Sequence, residues 1–186
     1  MDLCDICRKE PAKVQITGQG CYCLDCYNKA TLKEMGIKDT YDYPRHMSVV
    51  EPDGEIYSFN VEHIINGDVV TWEATEVDGN YCFRQYSNIY DNGAEVAQGF
   101  FRKIVKGVCT KSLSSEKQWV SNLAHKDGIS YSVKDKGVIQ IIEDEERDNV
   151  LGFVVDGIKF TPEEFGRLFG AYIGWDIHFE MRDGIE

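Results

Sequence analysis

The sequence predicts an α+β chain. A small cysteine-rich ribbon comes first, then a mixed body with an antiparallel meander, two main helices and a C-terminal β-hairpin–helix–strand unit. Three observations predict this. Five of the seven cysteines lie within the first 26 residues. Asn66-Gly67 and Asp78-Gly79 interrupt runs of alternating polar and apolar residues, as hairpin turns do. Apolar stripes at helical spacing run from Val96 to Val108 and from Phe165 to Tyr172. The ribbon is expected over residues 1–35, a linker over 36–46 and the body over 47–186.

In the ribbon, Cys4/Cys7 and Cys23/Cys26 form a C-x2-C-x15-C-x2-C pattern, a spacing that reads as a zinc site. Two residues between cysteines let a tight turn aim both sulfurs at one point. Two such turns supply four thiolates at tetrahedral corners, about 2.3 Å from a Zn²⁺ ion. Between them, Val14 to Thr17 reads as a strand and Gly18-Gln19-Gly20 as its turn, since glycine adopts positive φ at little cost. Cys21 can replace Cys23 on spacing alone, although Cys23/Cys26 has the better bite. Four sulfurs leave no position open for water, so the predicted cofactor is one structural zinc. So short a segment buries too little apolar surface to fold alone, and the ion would replace the missing core. Tyr27 to Met35 then reads as a helix ending near Gly36.

In the body, Met47 to Val50 is expected as a strand, followed by a turn at Pro52-Asp53-Gly54. Tyr57, Phe59 and Val61 alternate with polar residues, as do Val70, Trp72 and Ala74, and Tyr81 to Tyr86 makes a fourth strand. Asn92, with Glu95 three residues later, predicts the start of a helix whose apolar stripe of Val96, Ala97, Phe100, Phe101, Ile104, Val105 and Val108 packs on the sheet. Residues 112–128 suggest a short helix or irregular chain around Trp119, Val120 and Leu123. Ile129 to Val133 and Val138 to Ile142 read as strands on either side of Lys134-Asp135-Lys136-Gly137, and Glu143 to Asp148 as a solvated acidic loop. Asp156-Gly157 turns between strands Val150 to Val155 and Ile158 to Phe160. Thr161, Pro162 and Glu164 together announce a helix start. Its apolar face carries Phe165, Leu168, Phe169 and Tyr172, Gly174 ends it, and Trp175 to Met181 reads as a last strand.

Charge narrows the function classes. The net charge of -12 lies entirely beyond Met35, because five acids and five bases balance before it. So acidic a body repels phosphate backbones and favours basic partners. The N-terminal Met-Asp-Leu-Cys-Asp lacks the basic-then-apolar pattern of a signal peptide. No run approaches the ~18 apolar residues of a membrane span. These features predict a cytoplasmic protein, where cysteines bind metals more often than they form disulfides.

No reaction is written in the motifs. His46, His63, His125 and His178 form no i, i+4 pair and no H-E-x-x-H. Cys82 and Cys109 carry no nucleophile signature. No glycine-rich phosphate loop and no G-x-S-x-G occurs. The acidic run lacks the alternation and the glycine of a calcium loop.

The segment Cys21-Tyr22-Cys23-Leu24-Asp25-Cys26-Tyr27-Asn28 resembles a family of bacterial zinc-ribbon proteins of unknown function. So does the C-terminal module Val155-Asp156-Gly157-Ile158-Lys159-Phe160 with Glu163-Glu164-Phe165-Gly166-Arg167 and Gly174-Trp175. The resemblance implies a structural zinc and this architecture, and no reaction.

The sequence thus points to a protein-binding, adaptor or regulatory module with a structural zinc, presenting Arg8, Lys9, Tyr22 and Tyr27 to a protein partner. Two alternatives remain: nucleic-acid binding by the knuckle alone, and an enzyme whose site converges only in the folded body, for instance around His125 or His178.

Overall fold

The computed structural model describes residues 2–38, 42–143 and 150–181. Within them the chain is mixed α+β, and every strand pair is antiparallel. Glycines at positive φ close the first hairpin, β1 (Val14–Ile16) to β2 (Gly20–Tyr22): Gly18 at 78° and Gly20 at 131°. Helix α1 (Leu24–Glu34) follows at once, three residues earlier than the periodicity predicts, so Cys26 lies inside it. It ends at Met35 and Gly36, the latter at φ 72°.

The expected meander is a four-stranded sheet in sequence order: β3 (His46–Val50), β4 (Ile56–Asn66), β5 (Val69–Glu76) and β6 (Cys82–Asn88). Both predicted hairpin turns join these strands. Alternation places Phe59, Val61, Ile65, Val70, Trp72, Ala74 and Phe83 in one core. Helix α2 (Gly93–Cys109) lays Phe100, Ile104 and Val108 on it, and the Trp72 and Phe100 rings meet edge-on at 5.9 Å. The Asn92 side chain caps this helix by accepting the Ala94 N–H at 3.1 Å.

The ambiguous region contains strands, not a helix. β7 (Leu113–Glu116) and β8 (Ala124–Lys126) flank β9 (Ile129–Val133) in a second sheet. Consequently β9 does not pair with the next strand, β10 (Gln140–Glu143). That strand joins β11 (Leu151–Val155) and β12 (Ile158–Phe160) in a third sheet. The acidic run past Glu143 lies outside the described residues, as do the linker residues Asp39 and Thr40.

Helix α3 (Pro162–Arg167) opens on the predicted capping box: Thr161 Oγ1 accepts the Glu164 N–H and Glu164 accepts the Thr161 N–H. It stops sooner than predicted. Leu168 closes it, and Gly170–Tyr172 is a separate 3-10 turn. A Cβ on Gly170 would stand 1.9 Å from the Asn122 carbonyl oxygen, so only glycine lets the chain pass there. Phe165, Leu168, Phe169 and Tyr172 still face one cluster, with Val155, Phe160, Ala124 and Val133. The expected last strand is absent: residues 175–181 belong to no sheet.

Candidate metal centre

The first knuckle is a tight loop. Arg8 N–H donates to Cys4 O at 2.8 Å and Cys4 N–H to Glu10 O at 2.9 Å, with Arg8 in the left-handed region at φ 54°. Asp5 ties this loop to the hairpin. Its carboxylate accepts the Cys21 N–H at 2.7 Å, and its own N–H donates to Cys21 O at 2.8 Å. The second knuckle is a helix start. Cys23 occupies the N-cap of α1, and Cys26 sits in its first turn, where unpaired N–H groups favour negative charge.

These two turns bring Cys4, Cys7, Cys23 and Cys26 together, their sulfurs all within 4.8 Å of one another. Cys7 Sγ and Cys23 Sγ are 3.8 Å apart. A tetrahedron with metal–sulfur bonds of about 2.3 Å has edges of about 3.8 Å, so this separation fits a four-coordinate metal. Cys4 and Cys23 are buried and the other two half-buried. The group can therefore hold a metal ion, and its donor set is entirely thiol. Cys21 is outside it, on β2 opposite Gln15.

The cluster divides electrostatically. Burial pushes the Cys4 thiol up, but backbone N–H groups of Cys23, Cys7 and Ile6 outweigh it and bring Cys4 down to about 6. Backbone N–H groups of Glu10 and Lys9 lower Cys7. Burial raises Cys23. Burial, then the crowding of the other three sulfurs, pushes Cys26 up to about 12. The first knuckle is thus prepared for thiolates, and the last thiol resists ionising beside them. A divalent cation eases that conflict by binding all four sulfurs and offsetting two of their four charges.

Beside this centre a groove of about 330 Å³ separates the knuckles from β3 and β4. Two ion pairs stand along it: Lys13 with Glu62, and Arg45 with Asp25 at 2.8 Å. Lys13 is therefore committed to the sheet and not to the sulfurs. His63 lines the groove, meets the Tyr43 ring at a tilt with centroids 4.2 Å apart, and is held below the usual histidine range by burial. Asn28 joins α1 to β4, and nothing in the sequence pattern marks it beyond a poor helix former two residues after Cys26.

The other candidates stand apart. His125 Nδ1 lies 3.0 Å from Ser130 Oγ, and its ring stacks on Trp119 at 3.5 Å. Ser130 is itself buried and donates to Gln118 O. A hydroxyl, not a carboxylate, thus faces this histidine. His46 opens β3, and His178 lies on exposed chain. Cys82 opens β6, and Cys109 ends α2 at the surface. Among the described residues no helix is long and apolar enough to cross a membrane.

Comparison with known proteins adds two matches. Residues 41–109 match a family model described as a domain of unknown function (DUF7686), which closes where α2 ends. Residues 119–186 match a second, also a domain of unknown function (DUF7713), which spans the Asp156-Gly157 hairpin and α3. The four-cysteine group lies before both. No curated protein and no solved structure matches the chain.

Proposed function

We propose that this chain is a protein-binding module built on one structural zinc, held by Cys4, Cys7, Cys23 and Cys26. The observation that carries the reading is the convergence of four thiols, with Cys7 and Cys23 one tetrahedral edge apart. An all-thiol set favours soft or borderline ions, of which zinc takes this number and geometry without redox chemistry. Residues 1–35 then form a zinc ribbon of the bacterial type, residues 36–46 connect it, and residues 47–186 form the body. Thiols kept reduced for a metal suit the cytoplasm.

A closed tetrathiolate supplies no open position, so its service is to shape a surface. The first knuckle presents Leu3 and Ile6, 56% and 58% exposed, beside the exposed Arg8 and Lys9. Apolar side chains ringed by charge are the ordinary makings of a protein-recognition tip. The balanced charge of the knuckle and the acidity elsewhere oppose nucleic acid.

The test is affinity capture from the native host with the full-length chain, zinc being measured on the same sample. Ile6→Ser with Lys9→Ala is expected to lose the captured partner while keeping the metal. Unchanged capture by that variant overturns the reading.

A further inference from the structure

Five large apolar side chains near the C-terminus have no place in either core. Ile173, Trp175, Ile177, Phe179 and Met181 are 84%, 71%, 62%, 81% and 73% exposed. They occupy every second position, alternating with Gly174, Asp176, His178 and Glu180. Period two is the signature of a strand with one apolar face. Yet this segment belongs to no described sheet. So many exposed apolar side chains in one short segment mark an interaction site.

We infer that residues 173–181 are a homodimerisation strand, pairing antiparallel with the same segment of a second copy about a two-fold axis through Ile177. The register follows from the side chains. Centred on Ile177, the pairing sets Ile173 against Met181, Trp175 against Phe179 and Ile177 against itself. On the other face it sets Asp176 against His178 and Gly174 against Glu180. Moving the axis to Asp176 puts that carboxylate opposite its own copy. Moving it to His178 puts Asp176 opposite Glu180. Like charges directly opposite destabilise a pair, and Asp176 opposite a histidine does not. Axes midway between residues set apolar side chains against polar ones. The axis at Ile177 is the one that pairs all five apolar side chains without opposing like charges, and self-complementarity of this kind is what a two-fold interface needs.

The surface available is adequate. Five such side chains, at about 150 Å² or more for each aromatic, bring on the order of 600 Å² per chain, near the roughly 800 Å² per partner of a specific interface. A two-stranded ribbon alone is marginal, so its apolar face needs a floor. Ile139, Ile141 and Leu151 are exposed around the β10–β11 hairpin. By register Ile141 and Leu151 share one face of it, and they offer that floor.

Sedimentation of the full-length, zinc-replete chain at micromolar concentration tests this. The wild type is expected to be a dimer. Ile177→Asp with Phe179→Asp, at positions outside both cores, is expected to weaken the dimer tenfold or more and leave the far-ultraviolet spectrum unchanged. Ile177→Cys is expected to give a 177–177 disulfide between copies on oxidation, identified by peptide mass. A mixture of Trp175→Cys and Phe179→Cys is expected to give a 175–179 link. A monomeric wild type overturns the inference, since the strand then serves its own body or another protein. A dimer that survives the double aspartate variant overturns it equally. Links only between other positions overturn the register.

Discussion

The side chain of Asn28 accepts the Ile65 N–H at 2.9 Å and donates to the His63 carbonyl at the same distance. It thereby imitates a neighbouring strand. β3 pairs with β4 only from Ile56 to Asn60, so the edge of β4 beyond Val61 has no strand beside it. Helix α1 covers that edge, and Asn28, itself buried, satisfies two of its main-chain groups. With the Lys13–Glu62 and Arg45–Asp25 ion pairs, this residue joins the cysteine knuckles to the sheet.

Asn28→Leu keeps the size and removes both hydrogen bonds. Two main-chain groups left unpaired beside the buried Ile65 are expected to cost about 3 kcal/mol. Asn28→Asp keeps the acceptor and is expected to cost less. Urea midpoints measure both. A loss below about 0.5 kcal/mol for Asn28→Leu, the scale of an ordinary surface change, means that water replaces the clamp.

Chelation of the metal is expected to unfold the knuckles and spare the sheet. The two short strands β1 and β2 have no core of their own beneath them, whereas β4 to β6 lie on Trp72, Phe59 and Phe100. Hydrogen exchange after chelation should show lost protection over residues 4–34 and retained protection over β5 and β6. Uniform loss across the chain indicates that the ion holds the whole molecule.

Much of this fold was legible because its signals are local. Asn66-Gly67 and Asp78-Gly79 set two hairpins without help from distant residues. Thr161, Pro162 and Glu164 fix a helix start within four positions. The C-x2-C spacing is likewise local, since two cysteines three residues apart can aim at one ion. Pairing was less legible. Ile129 to Val133 read as a strand, but its partners β7 and β8 are set by tertiary packing, not by its own pattern. Trp175 to Met181 reads as a strand by alternation, but among the described residues it belongs to no sheet. Asn28 escaped notice because its partners lie 35 and 37 residues away.

The α3 cap gives a pH signature. Burial pushes the Glu164 carboxyl up, but the Thr161 N–H and the Lys126 ammonium outweigh it, so it lies below the usual carboxylate range. A depressed folded pKa means stability that is present above the unfolded value and lost as pH falls through the folded one. Glu164→Gln is expected to be less stable than the wild type by about 1 kcal/mol at neutral pH, with the gap closing in acid. A gap independent of pH excludes the charge as its source.

Asp156 joins two distant loops. At the β11–β12 turn it takes φ 50°, and its carboxylate accepts the Ser112 and Leu113 N–H groups at 2.8 Å. Asp156→Ala loses both charge-assisted bonds and meets left-handed strain, for an expected cost of about 3 kcal/mol. Asp156→Asn tolerates the backbone and keeps one acceptor, so its cost is expected to be about half. Thermal midpoints should rank wild type, Asn, then Ala. An Ala variant as stable as wild type shows that solvent serves those amides equally well.

Metal content with X-ray absorption on the same sample tests the four-thiol zinc centre most directly. The expected result is one zinc per chain with four sulfurs at about 2.3 Å, lost in Cys4→Ser or Cys23→Ser and kept in Cys21→Ser. A natively purified, fully folded chain without metal, or a zinc lost with Cys21 and kept without Cys23, would contradict it.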